Sequence, residues 1–372
     1  MDGDGTRCVH GGHPAVGTGE ALHPGPVLSS TFALGLPSEP LPVDFYGRAG
    51  NPTWRALEEA VGELDGGECV LFASGMAAVG AVLRLAARDG ALVLPSDGYY
   101  LARTLAHGEL APLGVEVREA PTSGPWPVDG AALVLLETPS NPGLDVADIA
   151  AAAAAAHAAG ALLAVDNTTA TPLGQRPLDL GADLVLASDT KALAGHGDVV
   201  LGHVSTRDAG LAAALREARA RGGAVPGPME VWLAHRGLGT LDLRLARQAE
   251  NARAVVEALL GHPAVADVRW PGRPGDPAHA VAARQMRRWN GVLRFTLPSE
   301  AAVGEFLRAS RLVGSATSFG GLRSTADRRA RWGDAVAPGL LRFSAGCEDP
   351  ADLVADVLHS LERTGAVVSP SG

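Results

Sequence analysis

Short apolar runs alternate with helical stretches between residues 68 and about 206, and this alternation constrains the fold more than any other feature. Several runs are continuously apolar, as expected of strands that are covered on both faces. With the helices between them, notably Met76–Arg88 and 145–159, they predict an α/β fold with a seven-stranded, mostly parallel, doubly wound sheet. The predicted strands are Cys69–Ala73, Ala91–Leu94, Val115–Arg118, Leu133–Leu136, Leu162–Val165, Leu184–Leu186 and Val199–Val204.

Together with the regions on either side, these strands divide the chain into three predicted parts. Residues 1–50 are rich in Gly, Pro and His without a sustained period, which is typical of an arm. A large α/β domain would span 51–225 and begin with a helix from Asn51-Pro52 to Leu64. A smaller α+β domain would span 226–372. Its predicted elements are helices at 229–260, 301–309 and 350–362 and strands near 292–296 and 340–344.

Composition and charge exclude several classes of partner. The net charge is −10 and there is no Lys/Arg block, so we expect no nucleic-acid partner. The N-terminus has no signal pattern, and no apolar run reaches the ~20 residues of a membrane span. Cys8, Cys69 and Cys347 are widely spaced and lack a CxxC pairing, which favours reduced thiols in a cytoplasmic protein. His10 and His13 have no third ligand nearby, so no metal site is predicted.

The chain contains a single lysine, Lys191, and every other basic side chain is an arginine. A lysine can lose its proton when it is desolvated and then acts as a nucleophilic amine, whereas a guanidinium stays charged. The chemistry that needs such an amine is Schiff-base formation, above all with pyridoxal phosphate (PLP). A leftover surface lysine is the alternative, and the surrounding residues argue against it.

Residues suited to a cofactor follow successive predicted strands, where ligands bind in sheets of this kind. Ser74-Gly75-Met76 opens a helix after the first strand and could bind an anion through backbone N–H groups. A ring of Tyr99 or Tyr100 after the second strand could stack on a flat cofactor. A structural turn and a packing tyrosine are the alternative interpretations.

The later strands end in further polar residues. A proline-rich turn after the fourth strand could present Asn141, and Asp166 ends the fifth. A buried aspartate needs a partner, and a pyridinium N–H would serve and would keep the cofactor an electron sink. Ser188 and Thr190 follow the sixth strand and could bind a phosphate beside Lys191. Together these positions predict one PLP pocket.

Motifs occur in order along nearly the whole chain and form a specific set. They are Tyr46-Gly47-Arg48, Gly50-Asn51-Pro52-Thr53, Ser74-Gly75-Met76-Ala77-Ala78, Glu137-Thr138-Pro139-Ser140-Asn141-Pro142, Asp166-Asn167-Thr168, Ser188-Asp189-Thr190-Lys191, Gly195-His196-Gly197-Asp198, His235-Arg236-Gly237-Leu238-Gly239-Thr240-Leu241, Ser318-Phe319-Gly320-Gly321 and 341–349. The set resembles the Cys/Met-metabolism family of PLP enzymes, which includes cystathionine γ-synthase, cystathionine β- and γ-lyase and methionine γ-lyase.

The resemblance implies a fold of the aspartate aminotransferase type (fold type I) and a role for each motif. PLP would be held by Lys191 as a Schiff base, Asp166 at the pyridine nitrogen, Asn141 at the ring hydroxyl, Tyr99 on the ring face, and Gly75, Met76, Ser188 and Thr190 at the phosphate. Arg342, Ser318 and Asn141 would bind an amino-acid substrate. Tyr46 and Arg48 would complete the phosphate site of a neighbouring subunit, which implies a homo-oligomer, typically a tetramer built as a dimer of dimers.

The sequence departs from the family pattern at two places that bear on specificity. Tyr99-Tyr100-Leu101-Ala102 replaces the usual Tyr-Gly-Gly-Thr or Tyr-Gly-Cys-Thr, so Tyr100 competes with Tyr99 for the stacking role, and the missing cysteine disfavours methionine γ-lyase. Arg323 stands where many members have a glutamate. It would favour a substrate with a distal carboxylate if it lined the pocket; otherwise it belongs to a solvated face with Arg328, Arg329 and Arg331.

The resemblance predicts a PLP-dependent carbon–sulfur lyase, with cystathionine γ-lyase as the best single name. Lys191 would remove the α-proton and then a β-proton, and the thiol would leave from Cγ with help from Tyr99. Cystathionine γ-synthase and methionine γ-lyase are the nearest alternatives. A non-catalytic protein of the same fold is a further one. A nucleotide-binding enzyme is disfavoured because neither a Gly-x-Gly-x-x-Gly nor a Walker loop occurs at the expected place.

Overall fold

A computed structural model describes residues 3–364, and their helices and strands are organised around two β-sheets. The first sheet contains β1 Glu68–Phe72, β2 Ala91–Pro95, β3 Val117–Ala120, β4 Ala131–Glu137, β5 Leu162–Asp166, β6 Leu184–Ala187 and β7 Gly202–Thr206. The second contains β8 Ala266–Arg269, β9 Val292–Thr296, β10 Gly314–Ser315, β11 Thr325–Arg328 and β12 Leu340–Ser344.

The helices cover both faces of the first sheet and one side of the second. They are α1 Asp4–His10, α2 Pro52–Asp65, α3 Gly75–Ala86, α4 Tyr100–Leu105, α5 Ile149–Ala158, α6 Thr171–Gly174, α7 Ala209–Gly222, α8 Pro228–Leu238, α9 Leu241–Leu259, α10 His279–Gln285, α11 Glu300–Ala309 and α12 Pro350–Thr364. Within residues 3–364, no helix combines the length and the apolar character that a membrane crossing requires.

The first sheet confirms the predicted α/β class. Its strand order is β1-β7-β6-β5-β4-β2-β3, and only β7 runs antiparallel to its neighbours. The carboxyl ends of β1, β2, β4, β5 and β6 therefore meet at one edge of the sheet. All seven predicted strands are present, with the third and the seventh displaced by two or three residues.

Alternation along β1 shows how the sheet is buried on both faces. Phe72 packs with helices α3 and α7 on one face, and the preceding Leu71 packs with α2 and α8 on the other. Both side chains are fully buried. Burial of a side chain of this size contributes ~1.5–3 kcal/mol relative to leaving it exposed. Two apolar clusters therefore hold the sheet edge and its loops in place.

The N-terminal arm contains one helix that the sequence did not predict. Helix α1 is only seven residues long and buries Cys8 against the cluster that includes α2. A single buried position in so short a segment leaves no readable period. Further along the arm, Leu22 and Val43 are 81% and 77% exposed. The extended part of the arm thus presents apolar side chains to its surroundings.

The second sheet has the order β10-β11-β12-β9-β8, and β9 and β12 lie where strands were predicted. Strands β8, β10 and β11 were missed because they are short and polar. The predicted helical stretch 229–260 is two helices, α8 and α9, separated at Gly239-Thr240. The predicted domain boundary at 225/226 falls between α7 and α8, and the division into domains stays a prediction.

Candidate active site

A cavity of about 330 Å³ lies at the carboxyl edge of the first sheet, with the second sheet supplying its other side. Ten of the predicted site residues line it: Gly75, Met76, Tyr99, Asn141, Asp166, Ser188, Thr190, Lys191, Ser318 and Arg342. Residues without a predicted role also line it, among them Glu137, Thr168, Phe319 and Arg329. The topology thus brings together residues that are more than 250 positions apart in the chain.

Lys191 follows β6 and extends its amine into the cavity. Its Nζ lies 2.9 Å from Oγ of Ser318 and 5.5 Å from the centre of the Phe319 ring. Burial lowers the pKa of Lys191 from 10.5 to about 8, and the nearby Arg342 guanidinium adds to this effect. A neutral, nucleophilic amine is therefore far more accessible here than on a solvated lysine.

The backbone after Lys191 is fixed by a buried arginine of α9. Arg244 donates from Nη1 to the carbonyl of Ala192 and from Nη2 to the carbonyl of Leu193, at 2.5 and 3.0 Å. Helix α8 approaches the same turn closely at Gly237, where an added Cβ would lie 2.3 Å from the Ala194 carbonyl oxygen. These contacts hold the lysine-bearing turn rigidly against α8 and α9.

Two carboxyl groups lie side by side at the ends of β4 and β5. Burial raises the pKa of Glu137 well above its usual range, and the adjacent Asp166 raises it further. Burial also raises the pKa of Asp166, but hydrogen bonds from Thr168, together with Lys191, act in the opposite direction. The pair therefore favours a protonated Glu137 beside an ionised Asp166. Glu137 also accepts a hydrogen bond from the backbone N–H of Tyr99.

The N-terminus of α3 forms the end of the cavity that suits an anion. The helix begins at Gly75, and Oγ of Ser74 caps it by accepting from the N–H of Ala77 at 3.0 Å. An added Cβ at Gly75 would lie 2.7 Å from the Cβ of Ser188, so the helix end can approach the Ser188 segment only with glycine here. Backbone N–H groups and hydroxyls gathered at a helix N-terminus are suited to a phosphate.

Tyr99, and not Tyr100, lines the cavity. Tyr100 is the first residue of α4, and the two rings are 5.4 Å apart in an edge-on arrangement. Burial raises the pKa of the Tyr99 phenol, and Tyr100 adds to this effect while Arg329 opposes it. The geometry thus favours Tyr99 as the ring that could stack on a flat ligand.

Arg342, on β12, is the predicted carboxylate ligand and is 3% exposed. Its Nη1 donates to Oδ1 of Asn141 at 2.7 Å, and its Nη2 donates to the carbonyl of Ser318 at 3.0 Å. Ser318 adopts φ = 77°, an uncommon conformation for a residue with a Cβ and one often found at functional sites. Burial lowers the pKa of Arg342 to about 10, so the guanidinium is charged at neutral pH.

A second arginine lines the cavity, and it is Arg329 rather than Arg323. Arg323 is exposed and lines a neighbouring cleft instead. Arg329 is 4% exposed, and it donates to Asp327 at 3.0 Å and to Asp334 at 2.8 Å. The interpretation of Arg329 as part of a solvated face is therefore wrong. Its segment is polar and contains no period that would predict burial.

Tyr46 and Arg48 lie outside this cavity. Tyr46 is 44% exposed, and the Arg48 guanidinium lies 5.5 Å from the centre of its ring. Nη1 of Arg48 donates to the carbonyl of Ala220 at 3.1 Å. Their predicted role concerns a neighbouring subunit and stays a prediction.

Comparison with known proteins identifies the family of the chain. Residues 5–362 match the family described as "Cys/Met metabolism PLP-dependent enzyme". The chain belongs to this family. It is 55% identical to a "Putative cystathionine gamma-lyase" of Streptomyces coelicolor, with 97% of this chain and 94% of that protein covered. It is 37% identical to a "Cystathionine gamma-synthase" of Mycobacterium bovis, with 97% of each chain covered.

A solved structure supports the same assignment. Cystathionine gamma synthase from Xanthomonas oryzae pv. oryzae, in complex with aminoacrylate and cysteine, is 37% identical and superposes with a TM-score of 0.92. The alignment covers 99% of this chain and 100% of that one. The family and its named members act on sulfur amino acids with PLP. This member is therefore a PLP-dependent enzyme of sulfur amino-acid metabolism.

The donor set of the cavity fits PLP. It combines a desolvated amine, a buried carboxylate and a helix N-terminus in one cavity of about 330 Å³. The amine matches the aldehyde, the carboxylate matches a protonated pyridine nitrogen, and the helix end matches the phosphate.

Proposed function

We propose that this enzyme catalyses γ-elimination from cystathionine, which with one water gives cysteine, 2-oxobutyrate and ammonia. The observation that carries the choice of substrate is the second buried arginine in the cavity, because cystathionine has two carboxylates and methionine has one. The choice of elimination is supported by the similarity to a protein named as a cystathionine gamma-lyase, at 55% identity.

Each site residue has a distinct task in this proposal. Bound PLP supplies the electron sink that makes the protons of the substrate carbon chain acidic. Lys191 would bind the cofactor aldehyde; once the substrate amine has displaced it, its free amine would take the proton from Cα and, after giving that proton up to the cofactor, one from Cβ. Asp166 would hold the pyridine nitrogen in its protonated form, because an ionised carboxylate there would accept from the N–H. Tyr99 donates a proton to the departing sulfur.

The two buried arginines would bind the two carboxylates of the substrate. Arg342 would clamp the α-carboxylate, with Asn141 and Ser318 fixing its orientation. Arg329 donates from Nε to Asp334 and from Nη1 to Asp327, and its Nη2 lies 2.7 Å from the same Asp334 oxygen, so the guanidinium still has N–H groups for the distal carboxylate. The acidic partners hold the guanidinium rigid and reduce the entropy lost on binding.

Cystathionine γ-synthase is the second candidate. An O-acylhomoserine whose acyl group carries a carboxylate would satisfy Arg329 in the same way, and the 37% identical synthase supports this reaction. Arg329 therefore argues against methionine as the substrate, but it does not distinguish γ-elimination from γ-replacement.

The arm would complete the site in an oligomer. Its exposed apolar residues and the exposed Tyr46-Gly47-Arg48 motif support contact with another copy of the chain. We propose that Tyr46 and Arg48 bind the phosphate in a neighbouring subunit of a homotetramer.

Product analysis tests the proposal. The PLP-loaded protein is incubated separately with L-cystathionine, with L-methionine, and with O-succinylhomoserine plus cysteine. We expect 2-oxobutyrate and cysteine from cystathionine as the fastest reaction. Cystathionine formed from the acylhomoserine, with little elimination, would instead establish a γ-synthase, and methanethiol as the main product would contradict the role of Arg329.

Replacement of Arg329 by glutamine should change selectivity. We expect kcat/KM for cystathionine to fall about 10- to 100-fold, because the distal carboxylate loses a charged hydrogen-bond partner. The value for methionine should change less than about threefold. Arg323→Gln is the matched control, since its side chain lies outside the cavity. Equal losses for both substrates would show that Arg329 only supports the structure.

The lowered pKa of Lys191 predicts how cofactor capture depends on pH. Only the neutral amine attacks the aldehyde, so the rate at which the apoprotein binds PLP covalently should rise about tenfold per pH unit and level off above pH 8. Stopped-flow absorbance between pH 6 and 10 measures this rate. The same reaction of Nα-acetyllysine corrects for ionisation of PLP itself. A midpoint near that of free lysine would contradict the desolvated environment.

A further inference from the structure

A buried cluster of charged groups lies directly behind the lysine-bearing segment. In Ser188-Asp189-Thr190-Lys191, three residues line the cavity, but Asp189 does not and is fully buried. Its Oδ1 lies 2.7 Å from Nδ1 of His203, and Nε2 of His203 lies 3.0 Å from Oδ2 of Asp65. The histidine ring is 1% exposed. An imidazole therefore bridges two carboxylates with little access to water.

The geometry fixes the protonation of this ring. Each ring nitrogen faces a carboxylate oxygen, so both nitrogens must carry a hydrogen for both hydrogen bonds to form. Burial alone would lower the pKa of His203, but Asp189 and Asp65 raise it to about 10. Among the described residues, Oδ2 of Asp189 and Oδ1 of Asp65 have no hydrogen-bond partner. The imidazolium is therefore the hydrogen-bond partner of the Asp189 side chain, and Asp65 shares it with the hydroxyl of Ser205.

The cluster connects three parts of the fold. Asp65 is the last residue of α2, the helix that follows the arm, and its Oδ2 also accepts from Oγ of Ser205 at 2.7 Å. His203 lies on β7, where it pairs with Ala187 of β6. Asp189 follows β6 by two residues. The hydrogen bonds therefore tie the segment that precedes Lys191 to α2 and β7.

The imidazolium also acts on the carboxylate of Asp166. His203 is paired with the last residue of β6, and Asp166 ends β5 on the other side of that strand. The positive ring lowers the pKa of Asp166 against the effect of burial. Cys69 on β1 and Glu58 on α2 also lie near these carboxylates, and Glu58 is itself paired with Arg219 at 2.6 Å. Burial raises the pKa of Cys69 well above its usual range, so this thiol stays neutral.

We propose that His203 is a positioning residue of the PLP site: clamped as an imidazolium between Asp65 and Asp189, it fixes the Lys191 segment and favours the ionised form of Asp166. The group does not touch PLP or substrate and acts through Asp189 and through its charge. This inference rests on the proposed role of Lys191 as the residue that binds PLP, but not on the identity of the substrate.

Two variants that change the local charge in opposite directions test the proposal. His203→Gln removes a cation, and Asp189→Asn removes an anion. The measurement is a spectrophotometric pH titration of the holoenzyme, between pH 6 and 9, that follows the visible absorption of the bound cofactor. Removal of the cation should raise the titration midpoint, and removal of the anion should lower it, each by about half a pH unit or more. The titration midpoint of the double variant should lie closer to that of the unchanged protein than the midpoint of either single variant.

Ser205→Ala is the matched control, because it removes a hydrogen bond to Asp65 without a change of charge. Its melting temperature should fall while its titration midpoint stays within about 0.2 of the parent value, as the charges near Lys191 are unchanged. PLP loss on dialysis should be about tenfold faster in His203→Gln than in Ser205→Ala. If His203→Gln does not fold, the expected fall of the titration midpoint in Asp189→Asn still tests the proposal.

The proposal would be overturned if both variants shifted the titration midpoint in the same direction, or if neither variant shifted it. The cluster would then have only a structural role. Failure of the Lys191 assignment is detected separately: borohydride reduction of the unchanged holoenzyme would then leave no cofactor covalently attached, since the chain contains no other lysine.

Discussion

Replacement of Lys191 by arginine is expected to lower the turnover of every sulfur amino-acid substrate by more than about 10³-fold. Arginine preserves the positive charge and most of the length, but a guanidinium neither forms the covalent link with PLP nor accepts a proton at neutral pH. In the present site the amine is desolvated and lies 2.9 Å from Oγ of Ser318. The loss therefore reports on the chemistry of the amine rather than on its charge.

The single lysine makes this prediction unusually clean to test. Reduction of the holoenzyme with borohydride followed by peptide mass spectrometry should place the cofactor on Lys191, since no other lysine exists in the chain. The variant should show no reduced adduct, and its circular dichroism spectrum and melting temperature should stay close to those of the parent. Residual turnover within tenfold of the parent would rule out Lys191 as the proton acceptor.

The large sheet and most of the cavity could be predicted from local patterns. Runs such as Leu162–Asp166 are apolar until the last residue, so the sequence itself marks where the strand ends and where a polar group is presented. Parallel strands place such ends at one edge, which is why Asp166 and Lys191 could be assigned to one site before any contact was known. The parallel order of the strands is enough to place the two residues at the same edge of the sheet.

Residues whose role depends on tertiary contacts could not be predicted. Arg329 follows a four-residue strand in a segment with four arginines, and nothing local distinguishes the buried one from the exposed Arg323 and Arg331. His203 meets Asp65 across 138 positions of sequence. A histidine inside a predicted strand has no visible partner until the register of β7 is known. The charge of His203 is compensated by carboxylates far along the chain, whereas Arg329 is paired with Asp327 and Asp334 nearby in sequence, and only the burial of that local group depends on tertiary packing.

Tyr99 lies between these extremes. The sequence placed two adjacent tyrosines after β2 and left both as candidates for the stacking ring. The start of α4 at Tyr100 separates them, because successive residues at a helix N-terminus point in different directions. A single turn of helix that the sequence did not resolve therefore decides which ring lines the cavity.

Replacement of Arg342 by lysine is expected to lower kcat/KM about 10²- to 10³-fold for every amino-acid substrate, mainly through KM. A lysine carries the same charge but cannot form a bidentate pair with a carboxylate. It would also leave Oδ1 of Asn141 and the carbonyl of Ser318 without their donors in a buried site. Steady-state kinetics with cystathionine and with methionine measure the effect.

Arg294→Lys provides the control, because Arg294 is paired with Arg342 across β9 and β12 but does not line the cavity. Its kinetics should change little. The comparison with Arg329→Gln then separates the two carboxylate sites: Arg342 should matter equally for substrates with one and with two carboxylates, whereas Arg329 should matter only for those with two. If Arg342→Lys spared methionine, the two arginines would have to exchange their assigned carboxylates.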